Sequence, residues 1–89
     1  MKQIWKYEIK YAGDIQQINI PIDAEILTLQ LQHQDPMLWV LVDVDAKKEL
    51  RSFVLFGTGH DIHDKSAEHL SYIGTYQDGG FVGHLFELT

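Results

Sequence analysis

The stretch FGTGHDIHDK, residues 56–65, has the residue types most typical of a reactive or binding site. It places two glycines, a threonine, two histidines and two aspartates between apolar segments. On a helical turn His60, His63 and Asp64 would converge, and two imidazoles with a carboxylate suit zinc or iron. The spacing is loose, however, and a chain with five histidines in 89 residues produces such groupings by chance. We therefore predict no metal site and no cofactor, and a surface turn is the preferred interpretation.

The same stretch could bind an anion through its backbone. If a helix began after Gly57-Thr58-Gly59, the N–H groups of this segment could point at a phosphate. The stretch lacks the lysine of a P-loop and the third glycine of a dinucleotide fingerprint. The alternative is a turn in which both glycines supply unusual backbone angles. We predict that Gly57-Thr58-Gly59-His60 is a shaped loop leaving a buried strand, with the main functional surface around it.

Nucleophilic catalysis has little support in the sequence. Ser52, Ser66 and Ser71 have histidines nearby, but none lies in a G-x-S-x-G elbow. Thr58 beside His60 matches no recognised mechanism. We predict that the protein is not an enzyme, and the alternative is a metal-dependent enzyme that uses His60, His63 and Asp64.

Alternation of apolar and polar residues dominates the rest of the chain. In WKYEIKY, Trp5, Tyr7, Ile9 and Tyr11 share one face. In LTLQL, residues 27–31, the three leucines are predicted to point inward. These segments predict strands with one buried face.

Other segments indicate where strands lie in a sheet. Residues 37–42 and 53–56 are apolar on both faces, which is typical of central strands. Pro21 cannot donate to a ladder, so its strand is predicted to lie at an edge or to end there. Asp78-Gly79 predicts a hairpin. Residues 61–69 are the only segment with room for a short helix.

About seven strands separated by turns every ten residues or so predict an all-β fold. We expect a compact antiparallel sandwich or small barrel of six to seven short strands, with at most one short helical turn. Residues 1–89 are predicted to form a single domain.

Composition restricts the function. The net charge is −6 and no cluster of Lys or Arg offsets it, so nucleic-acid binding is disfavoured. The absence of cysteine excludes disulfides, zinc-thiolate sites and thiol nucleophiles. No segment has the length of a membrane span, and the start has no signal-peptide pattern, so we expect a soluble cytoplasmic protein. Because the core is small and some strands are apolar on both faces, we predict a homo-oligomer.

Five motifs in order along the chain resemble a small protein family of bacteriophages and prophages with no assigned function. These motifs are IWKY at 4–7, LWVLVD at 38–43, GTGH at 57–60, YIGT at 72–75 and a closing HLFE at 84–87. The resemblance covers nearly the whole chain, although His63 and Asp64 fall outside it. It implies a phage accessory protein located in the host cytoplasm.

Small phage proteins commonly act by binding, so the resemblance implies a non-catalytic role such as inhibition of a host defence. The protein would block a host protein or sequester a small nucleotide-like ligand, and the alternative is a virion or assembly protein. For a ligand, glycine N–H groups and histidines would bind phosphate, while aromatic rings would stack on a base. The predicted ligand-binding residues are Gly57, Thr58, Gly59, His60, Tyr72, His84 and Trp39.

Overall fold

The computed structural model describes residues 1–10, 14–62 and 69–89, and they form seven antiparallel strands. The strands are β1 (Lys2–Glu8), β2 (Gln16–Pro21), β3 (Glu25–Gln32), β4 (Asp35–Asp43), β5 (Lys48–Gly57), β6 (Leu70–Asp78) and β7 (Phe81–Leu88). The prediction of an all-β fold with six to seven strands is confirmed. The predicted short helix falls largely on residues 63–68, which lie outside the described residues.

The strands divide into two sheets. A three-stranded sheet has the order β1-β4-β3, and a four-stranded sheet has the order β2-β5-β7-β6. The two segments that are apolar on both faces became β4 and β5, and both strands lie inside their sheets as predicted. Pro21 ends β2, which is an edge strand, so that prediction is also confirmed.

The core lies between the two sheets. Every second residue of the central strands points inward, which is the alternation that a half-buried strand requires. At Gly74 of β6 the sheets approach closely, since a Cβ there would lie 3.3 Å from the Cβ of Leu29 in β3. The buried core residues are Ile9, Ile20, Ala24, Leu29, Leu38, Val40, Val42, Phe53, Leu55, Tyr76 and Leu85.

The prediction that Leu27 points inward is wrong. The pairing of β3 with β4 shifts register between Ile26 and Thr28, so Leu27 is the extra residue of a β-bulge. Its side chain is 45 % exposed, while Ile26 and Leu31 pack against the core. A bulge reverses the alternation locally, and the sequence period alone does not reveal it.

One ion pair is held between the sheets. The Arg51 guanidinium donates from Nε and Nη2 to the two Glu87 carboxylate oxygens at 2.6 and 2.7 Å. Arg51 also donates from Nη1 to the Ala24 carbonyl at 2.8 Å. The hydrogen bond with Glu87 raises the pKa of Arg51, so this guanidinium stays charged. The pair cross-links β5 to β7 and connects both to the chain entering β3.

Candidate functional site

His84 lies at the centre of a row of hydrogen-bonded side chains on the outer face of the four-stranded sheet. Its Nε2 and the Thr58 hydroxyl are 2.6 Å apart, and its Nδ1 and the Thr75 hydroxyl are 2.9 Å apart. The Thr75 hydroxyl is in turn 2.6 Å from the Tyr72 hydroxyl. We call Thr58, His84, Thr75 and Tyr72 the His84 row. Three predicted site residues, Thr58, Tyr72 and His84, are therefore brought together.

The strands explain why this row forms. His84 in β7 pairs directly with Thr75 in β6, so the two side chains stand side by side on one face. Thr58 follows the last residue of β5 and reaches His84 from the other side. Thr75 was missed as a site residue from the sequence. A bulge between Tyr72 and Gly74 places Tyr72 and Thr75 on the same face despite their odd spacing.

Two phenylalanines extend the row into an aromatic cluster. The rings of Phe86 and Tyr72 meet edge to face with centroids 5.5 Å apart, and those of Phe86 and Phe56 lie 5.9 Å apart. Neither phenylalanine was among the predicted site residues. The sequence signal that could have identified Phe86 is its position two residues after His84, which places both side chains on one face of a strand. Aromatic side chains next to hydroxyl and imidazole groups are typical of binding surfaces.

The His84 row differs from a catalytic triad in the partner of its second ring nitrogen. A hydroxyl beside an imidazole, as in Thr58 and His84, is the contact that a nucleophile and its base would make. The second nitrogen of His84 is occupied by the Thr75 hydroxyl, where a Ser-His-Asp triad has a carboxylate. A neutral imidazole donates from one nitrogen and accepts at the other, so two hydroxyls satisfy it fully.

The loop after β5 is a tight turn. The His60 N–H donates to the Gly57 carbonyl at 3.1 Å, and Gly59 has a φ of 84° at the third position of this turn. Such a position requires positive φ, which glycine adopts without strain. The Thr58 N–H donates to the Val82 carbonyl at 3.1 Å. The N–H groups of Thr58 and His60 are therefore engaged within the fold, and this weakens the hypothesis of a phosphate loop.

His60 and His84 lie on opposite faces of the four-stranded sheet. A Cβ at Gly57 would point to the core face, where it would lie 2.6 Å from the His60 ring and 2.9 Å from Phe81. His84 belongs to the outer face, since its neighbours Gly83 and Leu85 are buried. The structure thus separates His60 from the His84 row, and it explains why residue 57 is a glycine.

Trp39 is also separated from the His84 row. It lies on the outer face of the three-stranded sheet, with Lys6 Nζ 5.8 Å from the centre of its ring. Between that face and the His84 row lie both sheets and the core. Trp39 therefore does not join Tyr72 and His84 in one site.

Apart from Lys48 at the start of β5, whose Nζ lies 5.7 Å from the centre of the Trp5 ring in the other sheet, the outward positions of the four-stranded sheet carry no charged side chain, although 22 % of the chain is charged. We call these positions the uncharged face. They are Gln17 and Asn19 in β2, alternate residues from Leu50 to Phe56 in β5, Leu70, Tyr72, Thr75 and Gln77 in β6, and alternate residues from Val82 to Leu88 in β7. Leu50 and Tyr72 are 62 % and 60 % exposed. The outward positions of a solvated sheet face normally include charged side chains, so a face without them is unusual.

A separate pocket of about 430 Å³ opens at one end of the sandwich. Its walls come from the end of β1, the β3–β4 turn and the β6–β7 hairpin, and they include Glu8, Asp35, Tyr76 and Phe81. None of the predicted ligand-binding residues lines it.

Of the three candidate metal ligands, only His60 lies within the described residues. Within residues 1–10, 14–62 and 69–89, no three His, Asp or Glu side chains are grouped as metal ligands. His63 and Asp64 lie outside the described residues. Likewise, no helix in the described part of the chain is long and apolar enough to span a bilayer.

The fold and the site together define a β-sandwich domain with an uncharged, aromatic outer face. The chain belongs to the family described as "Domain of unknown function (DUF7352)", whose match covers residues 1–89. This match confirms the expected membership of a family without an assigned function and carries no information on phage origin. No curated protein and no solved structure matches the chain.

Proposed function

We propose that this protein is a non-catalytic accessory protein of a bacteriophage or prophage that acts by binding a further protein chain through the uncharged face. The observation that carries the proposal is the combination of exposed apolar and aromatic side chains with an absence of charge on that face. Depletion of charged residues and enrichment of tyrosine and phenylalanine are typical of the centres of protein interfaces.

The geometry of the uncharged face supports a protein partner better than a small ligand. Small-molecule sites are concave and bury most of the ligand. His60 and His84, which would have formed the walls of a ligand pocket, lie on opposite faces of the sheet. A pleated sheet face presents a broad surface instead, and such a surface suits a partner with a matching apolar patch.

Native mass spectrometry of the protein purified from bacterial cells tests this function. We compare the wild type with Tyr72→Asp on the uncharged face and with Ile4→Asp on the three-stranded sheet. Both residues lie on edge strands and both are 60 % exposed. We expect the wild type and Ile4→Asp to retain a bound protein chain that Tyr72→Asp loses.

A bound small molecule in place of a protein would contradict the proposed function. A non-protein mass that is retained by the wild type and lost in His84→Ala would replace the proposed function with ligand sequestration. A bound protein that Tyr72→Asp retains and Ile4→Asp loses would place the binding surface on the other sheet.

A further inference from the structure

We propose that the partner of the uncharged face is a second copy of this chain, packed face to face about a two-fold axis. This inference rests on the proposed function and names the partner that the face binds. The arguments are the distribution of charge, the hydrogen bonding of the polar groups on the face, and its area.

Charge selects the partner. Each chain has a net charge of −6, so two copies repel each other unless they meet on surfaces without carboxylates. A basic partner would be recognised by acidic side chains, and a nucleic acid by basic ones, and the uncharged face has neither. In a two-fold contact the same patch meets itself. An apolar patch without charge is complementary to its own copy, whereas a patch of one charge is not.

Most of the polar side chains on the face are already paired with one another. Both ring nitrogens of His84 are hydrogen-bonded to threonine hydroxyls, and Thr75 is also bonded to Tyr72. Gln17 Nε2 donates to the Ser52 hydroxyl at 3.4 Å. Burial of a polar group is costly mainly when it loses its hydrogen bonds to water and gains no others. Because these groups are satisfied within the chain, apolar surface can cover them at small cost, whereas Asn19 and Gln77 on the two edge strands are not paired in this way.

The area is sufficient for a specific dimer. Four strands about 4.8 Å apart and 6 to 10 residues long, or about eight on average, give a flat area of roughly 500 Å² at about 3.3 Å per residue. Two copies would bury roughly twice that area before the relief of the side chains is added, close to the ~1,000 Å² that specific interfaces exceed. Leu50 and Tyr72, the most exposed large side chains of the face, would supply much of the apolar contact.

The outer face of the three-stranded sheet does not suit this role. Lys2, Lys6, Glu25 and Asp43 point outward there. Face-to-face packing of two copies would remove these charges from water, and desolvation of an unpaired charge is unfavourable. This face therefore provides the matched control for the test.

Sedimentation equilibrium at micromolar concentrations tests the dimer, with Leu50→Asp compared to Ile4→Asp. The two residues are aliphatic and are 62 % and 60 % exposed, so their effects on folding should be alike. We expect the wild type and Ile4→Asp to have twice the chain mass of 10.3 kDa. Leu50→Asp places two carboxylates in one interface and should raise the dimer Kd at least about 100-fold. Circular dichroism confirms that each variant is folded.

A wild type that sediments at 10.3 kDa overturns the inference. So does a dimer that Ile4→Asp dissociates and Leu50→Asp leaves intact. If the wild type is monomeric alone but a different protein occupies the Tyr72 surface in native mass spectrometry, self-association is wrong and the proposed function stands. If a small molecule is found instead of any protein, both proposals fail.

Methyl NMR gives a second measurement without a mutation. A soluble paramagnetic agent broadens exposed methyl signals. As the protein concentration rises and the dimer forms, the Leu50 methyl groups should become protected from the agent. The Ile4 methyl groups should remain accessible. Protection of Ile4 alone, or of neither residue, contradicts the proposed interface.

Discussion

The two sheets of this sandwich follow the same alternation but place their charges on opposite sides. The three-stranded sheet shows charged residues to solvent, and Lys6 of that sheet lies over the Trp39 ring. The four-stranded sheet has no charged outward residue apart from Lys48 at the start of β5, and it holds the Arg51–Glu87 pair on its inner side. Alternation of apolar and polar residues indicates only which face of a sheet is buried in the core. The composition of the outward positions indicates whether the outer face suits solvent or a partner.

The inward ion pair should give the largest effect on stability. Arg51→Met leaves the Glu87 carboxylate without its two charged hydrogen bonds in a site where it is 15 % exposed. We expect a loss of about 2–3 kcal/mol in the free energy of unfolding, below the value for a fully buried pair because some solvent reaches this one. Denaturation with urea measures it.

Lys6→Met is the control on the outward face of the other sheet, where an exposed charge contributes less than about 0.5 kcal/mol. The double variant Arg51→Met/Glu87→Leu should recover part of the loss, because no unpaired charge remains. Equal effects of Arg51→Met and Lys6→Met would show that the inward placement has no energetic consequence.

The hairpin turns of the two sheets should differ next. In the three-stranded sheet, β3 and β4 are joined by His33 and Gln34, whose φ angles are 51° and 71°. In the four-stranded sheet, the corresponding turn uses Gly79 and Gly80, and Gly79 has a φ of 59°. Side chains disfavour positive φ, and Asn-Gly is the preferred pair in such two-residue turns. We expect His33→Asn/Gln34→Gly to raise the free energy of unfolding by roughly 1–2 kcal/mol.

Gly79→Asn provides the comparison in the other turn, because asparagine tolerates the left-handed conformation and should leave stability nearly unchanged. Thermal unfolding of both variants measures the difference. A destabilised His33→Asn/Gln34→Gly variant would mean that these side chains make contacts that outweigh the strain.

Two tyrosines, one facing inward and one outward, should respond oppositely to loss of the hydroxyl. The Tyr7 hydroxyl is buried and has no hydrogen-bond partner among the described residues, and burial raises the pKa of Tyr7. Tyr7→Phe removes an unsatisfied polar group and should stabilise the fold by about 1 kcal/mol. The Tyr72 hydroxyl is bonded to Thr75, so Tyr72→Phe should destabilise it by about 0.5 kcal/mol. Chemical denaturation of both variants gives the signs, and a loss of stability in Tyr7→Phe would contradict the orphaned hydroxyl.

The smallest effect concerns acid. The Asp45 N–H donates to the Asp43 carboxylate at 3.1 Å and the chain terminus lies 3.6 Å away, so the pKa of Asp43 is lowered from 3.8. A carboxyl group whose pKa is lower in the folded than in the unfolded state stabilises the fold at pH values above its unfolded-state pKa. This contribution disappears as the pH falls through the folded-state pKa. Asp43→Asn should therefore lower the melting temperature slightly at pH 7, and the difference from wild type should vanish in strong acid. A difference that persists in strong acid would assign the effect of Asp43→Asn to packing and not to charge.

The number and placement of the strands could be predicted from the sequence because they depend on local patterns. Residues 37–42 and 53–56 are apolar on both faces, and this predicted two interior strands. Pro21 marked an edge strand because it lacks an N–H, and Asp78-Gly79 marked a hairpin whose two turn residues are Gly79 and Gly80. Each of these signals lies within a few residues of chain.

The site could be predicted only in part, because its members come together across strands. Thr58, Tyr72 and His84 were among the ligand-binding residues that the resemblance implied, and they meet in the His84 row. Thr75, which joins Tyr72 to His84, was missed because a bulge in β6 shifts its face. Trp39 has a suitable side chain, but the arrangement of the sheets places it on the other side of the molecule.

The sequence by itself determined an all-β chain of seven strands, since a period of two and turn residues act locally on the backbone. Only the tertiary structure decided which strands share a sheet, because strand pairing joins residues far apart in sequence and a shift of one residue moves every side chain to the other face. For that reason it also decided that His60 turns toward the core side while His84 faces outward. The uncharged face exists only in the folded chain, where alternate residues of β2, β5, β6 and β7 form one surface.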